Sequence, residues 1–125
     1  MYARNVTLQL KANKAAEFTR TLENDVLPML RKQTGFKDEI TFLTPAGNEA
    51  MAISLWEKQE NAEAYSRDTY PAVLQRLEQV VDGTPEVESY EVSNSTFHKL
   101  ASQGSSQTQS QNQSQASRNQ PSAAR

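Results

Sequence analysis

Trp56 and Tyr65 share one stretch, AISLWEKQENAEAY, which turns from strand-like alternation into a helix-like run. Trp56 is the single tryptophan of the 125-residue chain. Its flat ring can stack on an aromatic ligand, and a tyrosine hydroxyl can donate or relay a proton. Each residue also has a plainer use. An indole can close a strand-to-helix corner, and a half-buried tyrosine can simply pack with its hydroxyl toward water or a pocket. Arg76 can hold an acidic substrate group or lie on a solvated helix. Asn5 puts a polar amide into an alternating strand, at some cost, and it suits either a pocket wall or a hydrogen bond across the sheet. His98 is the only histidine and cysteine is absent, which argues against a dedicated transition-metal site. No Ser-His-Asp pattern, phosphate loop or paired-carboxylate site is visible. Glu57, Glu60 and Glu63 fall in or near a helix first turn, where the dipole favours negative charge, and read as a solvated face.

These residues need a frame, and periodicity supplies one. Between Tyr2 and Lys11, Val6, Leu8 and Leu10 alternate with Asn5, Thr7 and Gln9, a half-buried strand. Asn13 is the expected N-cap of a helix whose apolar face is Ala15, Phe18, Leu22, Val26 and Met29. Pro28 lies inside that run and predicts a kink or break near Asp25, with a continuation to about Lys32. Gly35 suits a left-handed C-cap. Phe36 to Thr44 reads as a second strand, with Phe36, Ile40 and Phe42 on one parity. TPAGN is a turn, and Glu49 to Trp56 is a third strand hairpinned to the second. A short helix follows from Lys58 to about Asp68. Pro71 opens another, with the stripe Val73, Leu74, Leu77, Val80 and Val81. DGTP is expected to break it, and Glu86 to about Phe97 is the last strand.

The order is β-α-β-β-α-β, an α+β ferredoxin-like fold with a four-stranded antiparallel sheet and helices on one face. The second sheet face lacks the clean Lys/Glu alternation of a solvated surface. It is expected to be covered, most simply by a second copy in a homodimer.

The folding unit is expected to span residues 1–100. Residues 101–125 hold seven Ser and seven Gln and no Val, Ile, Leu, Met or aromatic residue, so they read as a disordered tail. The tail carries two of the 13 basic residues and none of the 15 acidic ones, leaving 11 against 15, a net charge of −4, on the rest. That balance, with no basic stripe, argues against nucleic acid. No apolar run is long enough for a membrane span and no signal-peptide pattern opens the chain, so the expected location is cytoplasmic.

Several segments together resemble one family. LPMLRKQTGF leads into the second strand, AISLWEKQENAEAY leads out of the third, YPAVLQRL forms the later helix and VESYEV closes the sheet. With the element order and length, they are similar to the antibiotic biosynthesis monooxygenase family, within the dimeric α+β barrels. The resemblance implies a homodimer with facing sheets and a pocket in each subunit between sheet and helices. It also implies that Trp56 lines the pocket and that Tyr65, about one turn further along than its counterparts, can move a proton. Asn5 matches an asparagine that lies beside the substrate in haem-degrading relatives. Those relatives bind iron through a histidine on the later helix, where this chain has Leu74 or Gln75.

Two readings of function follow. One is a cofactor-independent monooxygenase acting on a small phenol, quinol or anthrone with molecular oxygen, with Trp56 and Tyr65 as catalytic residues and Asn5, Trp56 and Arg76 binding substrate. The other is a dimeric ligand-binding or stress-response module without turnover. Haem degradation ranks third.

Overall fold

A computed structural model describes residues 1–99. The expected tail and the expected domain end at Leu100 lie outside the described residues. Internal contacts divide the chain after Val92, and the fold below is that of Met1–Val92.

Four strands form one antiparallel sheet: β1 (Tyr2–Leu10), β2 (Phe36–Leu43), β3 (Glu49–Trp56) and β4 (Val81–Glu91), in the order β2-β3-β1-β4. The helices are α1 (Ala15–Thr21), α2 (Leu27–Arg31), α3 (Gln59–Asp68) and α4 (Tyr70–Leu77). This is the expected ferredoxin-like α+β arrangement. Alternation on β1 sends Val6, Leu8 and Leu10 into the core, which continues through Phe18, Leu22, Val26, Leu30, Trp56, Val73, Leu77 and Val80. No helix among the described residues is long and apolar enough to cross a membrane.

The first helical stretch bends where Pro28 requires it. Proline has no N–H, and its ring collides with the carbonyl four residues back. A π-turn over Leu22–Val26 absorbs the conflict between α1 and α2. There the Leu27 N–H reaches five residues back, to the Leu22 carbonyl. The wider turn keeps both Leu22 and Val26 on the buried side.

Three boundaries differ from the periodicity. Asn13 is not the N-cap. It has φ 62°, a left-handed turn conformation that asparagine tolerates, and Lys14 takes the cap position. The later helix stops at Leu77, so Val80 is buried outside it and its carbonyl accepts the Lys11 N–H at 2.9 Å. The last strand spans Val81–Glu91, not Glu86–Phe97. DGTP does not end an element. It forms an irregularity inside β4, with Gly83 at φ 77° and the register against β1 slipping between Thr7 and Gln9.

The sheet face away from the helices carries Asn5 and Thr7 from β1, Ile40 and Phe42 from β2, Met51, Ile53 and Leu55 from β3, and Tyr90 from β4. Ile40, Phe42 and Tyr90 are each half exposed. The amide oxygen of Asn5 is buried there without a hydrogen-bond partner.

Candidate functional site

β3 turns small residues toward the helices. Ala52 and Ser54 share their parity with Ala50 and Trp56 and face the helical layer. Small side chains under α1, the π-turn and α4 leave space that larger ones would fill. A cavity of about 40 Å³ lies there. Its apolar wall includes Val6, Leu8, Phe18, Leu22 and Val26, and its polar wall is Arg4, Glu39, Ser54, Tyr65 and Tyr70.

The polar wall follows from strand register. Arg4 pairs with Ser54 across β1 and β3, and Glu39 pairs with Ser54 across β3 and β2. The three therefore form one row across the sheet on the helix-facing side. Glu39 joins that row because the register slips between Phe36 and Asp38. The slip sends Phe36 and Glu39 to the helix side and leaves Ile40 and Phe42 on the far face, so the expected shared parity of Phe36, Ile40 and Phe42 is broken.

Arg4 is 3% exposed. Its Nε donates to Ser66 Oγ at 2.7 Å, and its guanidinium carbon lies 4.0 Å from the centre of the Tyr70 ring and 5.2 Å from that of Tyr65. Two aromatic faces thus stabilise the cation. Arg4 also borders a second space of about 320 Å³, lined by Tyr2, Glu63, Ser66 and Arg67 among others, so it stands between cavity and cleft.

Burial dominates the proton affinities. It pushes the Tyr65 hydroxyl up to about 12, against the pull of the Arg4 charge. Tyr70 is raised for the same reason, opposed by the Arg4 charge and by a loose hydrogen bond from its guanidinium that falls short of good geometry for the buried hydroxyl. Glu39 is raised by burial, with the Thr41 hydroxyl donating to its carboxylate and acting the other way.

The sequence-derived candidates separate. Tyr65 lines the cavity. Trp56 is fully buried and sits behind Tyr65, ring centres 5.1 Å apart, with Phe36 edge-on to it at 5.6 Å. Its indole N–H donates to Ser54 Oγ at 2.9 Å. Asn5 is on the opposite sheet face. Arg76 is on the helix surface, its side chain 57% exposed and 3.7 Å from Asp25. His98 lies beyond the end of β4.

Alternation on β1 already marks Arg4 as an inward charge, because it shares parity with Val6 and Leu8. Glu39 carries no such signal, since the register slip that turns it inward is not written in residue types.

No protein-family model and no curated sequence matches the chain. Solved structures do. A protein of unknown function from Nitrosomonas europaea aligns with TM-score 0.65 at 16% identity, covering 78% of this chain and 94% of that one. A monooxygenase from Streptomyces coelicolor, solved with nanaomycin D, aligns with TM-score 0.64 at 14% identity, covering 78% and 92%. A cofactor-independent oxygenase from Streptomyces nogalater gives TM-score 0.62 at 13% identity, covering 78% and 97%. Further matches carry the antibiotic biosynthesis monooxygenase name. The chain has the fold of the antibiotic biosynthesis monooxygenases.

Proposed function

We propose that this protein is a cofactor-independent monooxygenase acting on a small electron-rich aromatic such as a phenol, hydroquinone or anthrone. One observation carries the reading: an apolar cavity between sheet and helices whose polar groups are gathered around the Arg4–Ser54–Glu39 row. A deprotonated substrate of this class can itself give an electron to oxygen. An anthrone methylene and one oxygen molecule then yield a ketone and water, with no metal or flavin needed. The protein has to orient the ring, keep water out and manage the proton. Tyr65, held neutral by burial, suits a hydroxyl donor rather than a base. Trp56 acts on the cavity through Tyr65, by packing behind it.

The working unit in this reading is a homodimer joined through the far sheet face. Exposed Ile40, Phe42 and Tyr90 and the unsatisfied Asn5 amide support that cover. The location in this reading is cytoplasmic.

Oxygen uptake by the purified protein, with EDTA present, over a panel of hydroquinones and anthrones tests the activity. Uptake that survives the chelator is expected. One feature favours a second reading, a dimeric binding module without turnover. At about 40 Å³ the cavity has room for a few waters and less than a benzene-sized cavity provides. Binding across the panel without oxygen uptake would select that reading.

A further inference from the structure

Buried arginines ordinarily meet a carboxylate, because taking a guanidinium out of water costs several kcal/mol unless it is paired. Arg4 is buried, yet it takes part in none of the ion pairs found among the described residues. Of its five N–H donors, Nε is committed to Ser66, and the guanidinium also acts on the neighbouring Tyr70 hydroxyl. The anion of the same cavity wall is Glu39, two strands away. Two interstrand steps separate their Cα atoms by about 10 Å. Ser54 lies between them and its oxygen is engaged by the Trp56 indole. A cation and an anion thus line one wall without forming an ion pair, with Ser54 between them in the row.

We propose that Arg4 and Glu39 are a split ion pair that ionises a bound phenol. The phenol O–H bond breaks, its proton passes to the Glu39 carboxylate, and the electron pair remains on the phenolate oxygen, which binds the Arg4 guanidinium. The cavity holds one positive and one negative charge before and after the step. Only the position of the negative charge changes, from Glu39 to the ligand. This inference rests on the phenol-oxidising reading above and specifies how the substrate anion forms.

The surroundings fit the step. Tyr65 from α3 and Tyr70 from α4 are the other titratable groups of the cavity wall, and both are held neutral by burial. α1, the π-turn and α2 contribute only Phe18, Leu22, Val26 and Leu30. Burial makes Glu39 a better proton acceptor than an ordinary carboxylate. Arg4 is the one residue shared by the cavity and the neighbouring cleft, and the cavity must widen to admit a single-ring ligand.

The test uses 4-nitrophenol, whose phenolate absorbs in the visible and whose ring is too electron-poor to be oxidised. Buffered below its solution pKa, the dye is expected to show the phenolate band on binding, its pKa lowered by about one to three units. Arg4→Gln should abolish the band. Glu39→Gln should keep it but release close to one proton per ligand to the buffer, seen as a buffer-dependent calorimetric enthalpy, whereas the unaltered protein releases close to none. 4-Nitroanisole, which has no proton to lose, should bind the unaltered protein at least roughly tenfold more weakly, a reading independent of any variant. Absence of binding, a bound dye without the band, a band that survives Arg4→Gln, or equal affinity for the ether would overturn the proposal. The dye is not oxidised, so its ionisation is read separately from oxygen uptake. Ionisation without uptake on the hydroquinone panel would defeat only the oxygenase reading.

Discussion

Trp56 packs behind Tyr65 with ring centres 5.1 Å apart and planes inclined by 33°, and only Tyr65 reaches the cavity. The indole is anchored from below by its hydrogen bond to Ser54 and from the side by the edge contact with Phe36. Trp56 is therefore the support on which the cavity-facing tyrosine rests.

Trp56→Phe removes part of a fully buried ring and the bond to Ser54. Folding stability is expected to fall by about 2 kcal/mol in urea titration. 4-Nitrophenol should still bind, with affinity weakened less than roughly tenfold, because the altered contact lies one layer back. An unchanged urea midpoint would rule out the supporting role.

The Tyr65 hydroxyl ionises near 10 in the unfolded chain and near 12 in the fold. Between these values the unfolded state holds fewer protons than the native one, so stability is full below pH 10 and drains away as pH rises toward 12. The loss assigned to this group is about 2–3 kcal/mol. Tyr65→Phe should be visibly less alkali-sensitive than the unaltered protein when melting is followed from pH 9 to 12, as an order-of-magnitude window around that shift. Parallel curves would mean that the phenol is not desolvated.

Gly35 has φ 81°, and a Cβ there would run into the Asn61 side chain. That side chain accepts the Lys58 N–H at 3.1 Å at the start of α3, while the Gly35 carbonyl accepts the Glu57 N–H at 2.8 Å. Gly35→Ala is expected to cost about 2–3 kcal/mol through left-handed strain and a lost cap. Thermal unfolding with Gly83→Ala alongside separates the two effects, because a Cβ at Gly83 meets nothing within 4 Å. Gly35→Ala should be the more damaging of the two.

Ala52 borders the cavity, and Ala52→Val would place two methyl groups in it. Stability should hold or rise by up to about 1 kcal/mol, since the void is filled without displacing a packed neighbour. Binding of 4-nitrophenol should be lost. Retained binding would place the ligand elsewhere.

Phe42→Asp puts a charge into the exposed apolar face formed with Ile40 and Met51. Sedimentation should show a dimer for the unaltered chain and a monomer for the variant, with the cavity intact by the dye test. A monomer in both cases would remove the homodimer from the proposed function.

Much of this was readable along the chain. Alternation over Tyr2–Leu10 and Glu49–Trp56 and the three- to four-residue spacing over Ala15–Met29 are local consequences of side-chain geometry, so they identified strands and helix directly. The bend near Asp25 followed from a ring and a missing N–H at Pro28, again a local cause. Tyr65 was legible as a candidate because the strand–Trp–helix–Tyr element is contiguous. The element order then limited the topology to a ferredoxin-like sheet.

What periodicity could not supply lies where strands from distant parts of the chain meet. The slip between Phe36 and Asp38 reverses the facing of everything after it, bringing Glu39 inside and sending Ile40 and Phe42 out. The irregularity at Gly83 keeps β4 running through a turn signal. Arg4 shows an inward parity in the sequence. That it is buried beside two tyrosines and opposite Glu39 depends on the register of β1, β3 and β2 and on where α3 and α4 land. The sequence determined the elements because each is stabilised by neighbours along the chain. Tertiary structure decided the site, because its charges are set by pairings between segments whose register no single segment encodes.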